Sequence, residues 1–123
     1  MTEPGPLIAV LDDEPQMCKA LSRLLKTHGF CVVTFVQGAE FLSMCASRLP
    51  NCLLLDLHMP GMSGFEVLER FAAQHVPVPV IVITGQDQPG NAERVLALGA
   101  AAYLLKPLSE SLLIAAIRKA IES

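Results

Sequence analysis

The sequence predicts an α/β fold: a doubly wound, five-stranded parallel sheet in the order 2-1-3-4-5, flanked by five helices. Three observations lead there. Short apolar runs alternate with stretches patterned at helical spacing, five times along the chain. The apolar runs lack polar alternation, which is the pattern of strands buried on both faces. Hydrophobic residues make up 52% of the chain and charged ones 17%, the composition of a packed domain and not of a disordered tail. At 123 residues the chain fits one domain spanning 1–123, with a core over about residues 6–122.

The elements follow in order. Leu7-Ile8-Ala9-Val10-Leu11 is the first strand. Asp12, Asp13, Glu14 and Pro15 come next. Proline is tolerated in a first helical turn, and acidic residues there suit the helix dipole. Met17, Leu21, Leu24, Leu25 and His28 recur at helical spacing, and Gly29 stops that helix. Residues 30–36 are β-branched and aromatic, a second strand. Residues 39–49 read as a helix with Phe41, Leu42, Cys45 and Leu49 on one face, ended by Pro50. Cys52-Leu53-Leu54-Leu55 is the third strand, ending at Asp56. After the loop Leu57-His58-Met59-Pro60-Gly61-Met62, Ser63 and Glu66 form a capping box for the third helix. Residues 78–83 are the fourth strand, ending at Thr84-Gly85, and residues 91–98 the fourth helix, closed by Gly99. Residues 101–105 are the fifth strand, ending at Lys106-Pro107. Ser109 caps a fifth helix that runs to about Ile121.

Composition excludes several classes. A net charge of -3 and a pI near 5.5 lack the basic excess of a nucleic-acid surface. No apolar stretch approaches the roughly 18 residues of a membrane span. Met1 to Pro6 lacks the basic-then-apolar order of a secretory signal. Cys18, Cys31, Cys45 and Cys52 match no zinc or redox spacing. Each lies in an apolar segment, so buried free thiols are expected, which suits the reducing cytoplasm. The missing Gly-Lys-Ser/Thr motif excludes a P-loop nucleotide enzyme.

The chain has four aspartates, and three of them, Asp12, Asp13 and Asp56, directly follow apolar strands. In the order 2-1-3-4-5 the first and third strands are neighbours about 4.8 Å apart, at the switch point where such sheets bind ligands. Carboxylates brought that close repel by on the order of 1–4 kcal/mol per pair, so something must offset them. A hard divalent cation does so, and Mg²⁺ takes one or two carboxylates plus waters and phosphate oxygens. Thr84 ends the next strand, and Lys106 ends the one after, roughly 10 Å across the sheet and within reach of a long side chain. Singly, each has an ordinary reading: a helix cap, a turn residue, a solvated charge. Jointly, they suit phosphoryl chemistry, in which cations neutralise phosphoryl oxygens and a carboxylate is the nucleophile.

At these residues the chain resembles response-regulator receiver domains, the phospho-acceptor modules of two-component signalling, which have a flavodoxin-like fold. The resemblance covers about residues 6–122 and rests on four pieces in order. They are Val10-Leu11-Asp12-Asp13-Glu14, the run from Leu54 through Asp56 to Gly64, Ile83-Thr84-Gly85, and Tyr103-Leu104-Leu105-Lys106-Pro107. It implies that Asp56 takes a phosphoryl group from the phosphohistidine of a sensor histidine kinase or phosphotransfer protein. It implies that Asp13, Asp56 and the backbone carbonyl of His58 ligate Mg²⁺, or Mn²⁺ in its place, with Asp12 assisting. Thr84 would move to hydrogen-bond the phosphoryl group, Lys106 would pair with it, and Tyr103 would swing inward. Gly85 leaves access to the acceptor. The Lys106–Pro107 bond is typically cis in such domains. His58 and Gln86 fall at the rim of the site, where relatives tune phosphate lifetime; the ordinary reading of His58 is a solvent-facing loop side chain. His28 and His75 lie at helix ends, where cation–dipole or capping roles are expected. The fourth helix, fifth strand and fifth helix would form the output face.

The last helix carries Leu112, Leu113, Ile114, Ala115, Ala116 and Ile117, apolar on more than one side, which suits either a contact with an output domain or a second copy, or a broad core face. Two rival readings remain. An aspartyl-phosphate hydrolase would carry a second Asp two residues after the nucleophile, where this chain has His58. A receiver-like interaction module working without phosphorylation has no need of the intact Asp12, Asp13, Asp56, Thr84 and Lys106 set.

Overall fold

The structure, a computed structural model, describes residues 4–122, so the first residues considered for a leader lie outside the described part. Ten elements alternate along it: β1 (Leu7–Leu11), α1 (Pro15–Thr27), β2 (Cys31–Phe35), α2 (Gly38–Cys45), β3 (Cys52–Asp56), α3 (Gly64–Ala73), β4 (Val80–Thr84), α4 (Asn91–Ala97), β5 (Ala102–Leu105) and α5 (Glu110–Glu122). The strands are all parallel in the order β2-β1-β3-β4-β5. The predicted fold class is therefore the observed one. β1, β3 and β4 are buried at every residue, whereas the edge strands β2 and β5 are half-buried.

Because successive strand residues leave on opposite faces, the sheet supports two cores. Ala9, Leu11, Leu53, Leu55, Val80 and Val82 meet Phe41 of α2, Val67, Leu68 and Phe71 of α3, and Val95 of α4. Ile8, Val10, Leu54, Ile81 and Ile83 meet Leu21 and Leu25 of α1 and Leu113, Ile114 and Ile117 of α5. Burying each such side chain stabilises the fold by about 1.5–3 kcal/mol. Continued one step past the strand ends, the alternation puts Asp12, Asp56 and Lys106 on the α1/α5 face. Asp13, Thr84 and Tyr103 fall on the other.

Helix boundaries follow local chemistry. Pro15 sits in the first turn of α1, and Gly29, with φ +86°, closes that helix in the left-handed region that a glycine adopts without strain. His28 is its C-cap residue, and His28 Nε2 meets Glu110 at 3.1 Å. Ser63 Oγ accepts the Glu66 N–H at 3.4 Å at the start of α3, and Ser109 Oγ accepts the Leu112 N–H at 3.4 Å at the start of α5. His75 follows α3 with φ +51°.

Some expectations are corrected. α2 ends at Cys45, short of Leu49, because i→i+3 bonds from Ala46 to Ser43 and from Ser47 to Met44 close it early. Leu49 precedes Pro50, which disfavours helical backbone, and it is 44% exposed instead of facing the core. β4 begins at Val80, since Pro79 has no N–H to pair, although its carbonyl accepts the Leu53 N–H at 3.0 Å. All four cysteines are free, but only Cys18 and Cys52 are buried; Cys31 and Cys45 are half-buried on the periphery. Among the described residues no helix is long and apolar enough to cross a membrane.

Gly64 joins the fold to the site. A Cβ there would lie 2.7 Å from the Asp56 carbonyl oxygen and 2.8 Å from Leu57 Cα. Backbone cannot yield as a flexible side chain does. Gly64→Ala is therefore expected to destabilise the domain by about 1–3 kcal/mol, despite alanine's better helix propensity. Gly85→Ala is its control, because the new Cβ would meet only Lys106 Cδ, at 3.9 Å. Urea unfolding midpoints compare the two variants; equal midpoints would contradict the close approach.

Candidate functional site

β1 and β3 pair from Ile8 opposite Cys52 to Leu11 opposite Leu55, so Asp12 and Asp56 emerge side by side. Carboxylate oxygens of Asp12, Asp13 and Asp56 all lie within 4.8 Å of one another. Asp12 is fully buried, Asp56 is buried at 4% exposure, and Asp13 is half-buried at the mouth. Beside Asp13 a cleft of about 570 Å³ opens between the β2–α2 and β3–α3 loops, lined by Gln37, Gly38, Pro60 and Met62 among others.

Lys106 comes from the far edge of the sheet. Its Nζ lies 2.9 Å from Asp12 Oδ2, 3.7 Å from Glu14 Oε1 and 3.8 Å from Asp56 Oδ1. The shared face explains the reach: β5 residues alternate so that Lys106 leaves on the side of Asp12 and Asp56. Asp12 Oδ1 accepts the Glu14 N–H at 2.9 Å, which ties the start of α1 to the site in place of a side-chain cap from Glu14. Beneath, Cys18 Sγ donates to the Asp12 carbonyl at 3.3 Å.

One ammonium does not balance three carboxylates. Burial, then the Asp12 charge, push the Asp56 carboxyl up to about 7, against the opposing pull of Lys106; the hydrogen bond and charge of Asp13 add to the rise. Burial alone would lower the Lys106 ammonium, but the Asp12 hydrogen bond and the charges of Asp12, Asp56 and Glu14 outweigh it and raise the group overall. The donor set fits a hard divalent cation. It is all oxygen, it carries surplus negative charge, and its central carboxyl is destabilised as an anion.

The structure brings Asp12, Asp13, Asp56 and Lys106 together, while the Thr84 and Tyr103 hydroxyls make their hydrogen bonds outside that cluster. The Thr84 hydroxyl is buried in its own turn, donating to the Gln86 carbonyl at 3.2 Å and accepting the Gln86 N–H at 3.1 Å. Tyr103, opposite Val82 in the sheet, points outward, and its hydroxyl donates to Asp87 Oδ1 at 2.9 Å. Burial, then the Asp87 bond, raise the phenol above its usual value. The Lys106–Pro107 peptide bond is cis. His58 lies two residues beyond Asp56 and does not face solvent: its Nε2 is shielded and lacks a hydrogen-bond partner.

Two side chains in this region have a partner that the sequence does not show. Glu14 supplies a further carboxylate to Lys106, and Asp87 holds Tyr103. A signal existed for the second: Asp87 is the fourth aspartate, three residues past Thr84 in a loop at the same edge of the sheet.

A five-stranded doubly wound sheet with an acidic cluster at its switch point and a lysine reaching in from β5 defines a class of signalling domain. The response regulator receiver domain model matches residues 8–118. The transcriptional regulatory protein FixJ of Bradyrhizobium diazoefficiens is 36% identical over 114 residues, covering 93% of this chain and 56% of that protein. The DNA-binding transcriptional regulator NtrC of Escherichia coli is 35% identical over 115 residues, covering 94% of this chain and 24% of that protein. Full-length FixJ from B. japonicum superposes with a TM-score of 0.90 at 34% identity, over 98% of this chain and 59% of that one. The Francisella response regulator 1452 receiver domain has the same fold, with a TM-score of 0.90 at 24% identity, over 96% of this chain and 98% of that one. This chain belongs to the response regulator receiver domain family of two-component systems. It spans 56% of the length of FixJ and 24% of NtrC.

Proposed function

We propose that Asp56 accepts a phosphoryl group from a phosphohistidine on a sensor histidine kinase or phosphotransfer protein, in the cytoplasm, with residues 1–123 acting as one unit. An Asp56 oxygen attacks phosphorus, the P–N bond breaks, and its electron pair returns to the imidazole nitrogen, which takes a proton from solvent. Asp13, Asp56 and the His58 carbonyl would hold Mg²⁺, with Asp12 assisting. When bound, the ion neutralises phosphoryl oxygens and keeps Asp56 ionised. Lys106, already 3.8 Å from Asp56, pairs with the transferred group. Thr84 exchanges its Gln86 bonds for one to a phosphoryl oxygen, and Tyr103 moves inward behind it. The result biases two arrangements of the α4, β5 and α5 face. On that face Leu96 is 50% exposed, Leu105 47% and Leu112 64%, an apolar surface suited to an output domain or a second copy.

The observation that carries this reading is the cluster of three carboxylates at the mouth of β1 and β3, with a lysine in reach. Incubation with a small acyl phosphate and Mg²⁺ should add one phosphoryl mass that is stable to acid and labile to base. Chelation of the metal should abolish the gain. No gain, or a gain that persists in Asp56→Asn, would overturn the assignment.

A further inference from the structure

Asp87 has no part in the chemistry above. It lies in the β4–α4 loop, three residues past Thr84, and its Oδ1 accepts the Tyr103 hydroxyl at 2.9 Å. Its chain neighbour Gln86 holds the Thr84 hydroxyl through two bonds, at 3.1 and 3.2 Å. The two side chains expected to move are thus fastened to adjacent residues of one short loop. Thr84 cannot turn toward Asp56 without releasing Gln86, and any shift of Gln86 carries the acceptor of the Tyr103 hydrogen bond with it.

We propose that Asp87 is a positioning residue that latches Tyr103 outward and sets the ratio of the two arrangements before any phosphoryl group arrives. The proposal rests on the reading of Asp56 as the acceptor. A second observation supports it. Asn91, the first residue of α4, is buried, and its side chain lies against the same Tyr103 hydroxyl that Asp87 accepts. The outward phenol is thus gripped by two polar side chains of the segment that leads into α4. Tyr103 stands on the same sheet face as Thr84, with its ring packed against the core beneath α2, α3 and α4. Releasing the latch thus frees the ring without disturbing the acid cluster, whose buried members Asp12 and Asp56 root in the opposite face.

The chain has one tyrosine and no tryptophan, so tyrosine emission reports Tyr103 alone. A carboxylate that accepts a phenol's hydrogen bond quenches it. Asp87→Ala should be brighter than the parent without ligand, and Asp87→Asn, which keeps an acceptor oxygen, should fall between them. Beryllofluoride with Mg²⁺, a mimic of the phosphoryl group, should brighten the parent and change Asp87→Ala little. Asp87→Ala should bind the mimic about 3- to 10-fold more tightly, because the competent arrangement is already populated. Tyr103→Phe should reproduce that gain in affinity, and the double variant should gain no more than either single one. Equal emission and equal affinity in Asp87→Ala and the parent would overturn the latch while leaving the acceptor reading intact. A parent that does not respond to the mimic at all would overturn both.

Discussion

Asp56→Asn is expected to make the metal-free protein more stable than its parent near pH 8. The Asp56 carboxyl sits at about 7 in the folded chain against an ordinary 3.8, raised first by burial and then by Asp12. The native state therefore binds the proton more tightly than the unfolded state. Between about pH 4 and pH 7 the native state holds more protons, so stability falls as pH rises through that window, and the whole deficit is present above it. A shift of this size corresponds to on the order of 4 kcal/mol. For a domain of this length that is roughly 10–20 °C in melting temperature. Asparagine removes the charge and with it the deficit. The two proteins should converge as pH falls toward 5, and Mg²⁺ should close the gap near pH 8 by stabilising the parent alone. Melting curves at both pH values, with and without the metal, test this. A variant less stable than the parent near pH 8 would show that the Asp56 charge is already compensated. The same variant should accept no phosphoryl group.

Lys106→Met should act in the opposite direction. Lys106 is the cation held among Asp12, Asp56 and Glu14, and its side chain is 13% exposed against a fully buried Asp12. Its removal leaves Asp12 buried without its counter-charge. Breaking a buried pair from one side typically costs 3–5 kcal/mol, and partial access to solvent places this one near about 3 kcal/mol. Because the lysine's own value is raised from 10.5, its contribution is fully present below that pH and is lost only as pH rises through the higher folded value. Its effect on Asp56 adds to this: Lys106 holds that carboxyl down, so the loss in the variant should grow as pH rises through about 7, where Asp56 ionises. Urea unfolding near pH 7 measures it, and adding Asp12→Asn should recover most of it. A Lys106→Met protein as stable as its parent would mean that the lysine is solvated in solution and not seated in the cluster.

Most of the fold was legible because burial is written directly into composition. β1, β3 and β4 read as unbroken apolar runs, and strands covered on both sides leave no other pattern. Their ends located the acidic cluster, since topology alone makes β1 and β3 neighbours. Less legible were features decided by single backbone bonds or by contacts between distant residues. The early close of α2 depends on i→i+3 bonds that compete with a helix for the same amides. The shielding of His58 Nε2 depends on neighbours that the local sequence does not name. Glu14 and Asp87 sit in exposed, polar stretches where side chains have many rotamers, and their partners are settled by Lys106 and Tyr103 on a strand far away in sequence. The acidic cluster was thus more readable than the contacts that surround it.

The alternation of the strands has one more consequence. Asp56 and Lys106 grow from the layer beneath α1 and α5, while the Thr84 hydroxyl and the Tyr103 ring grow from the layer beneath α2, α3 and α4. The sheet stands between them as a bulkhead. Repacking under α3 and α4 therefore reaches Asp13, Thr84 and Tyr103 from one side, while Asp12, Asp56 and Lys106 keep the register that α1 and α5 set.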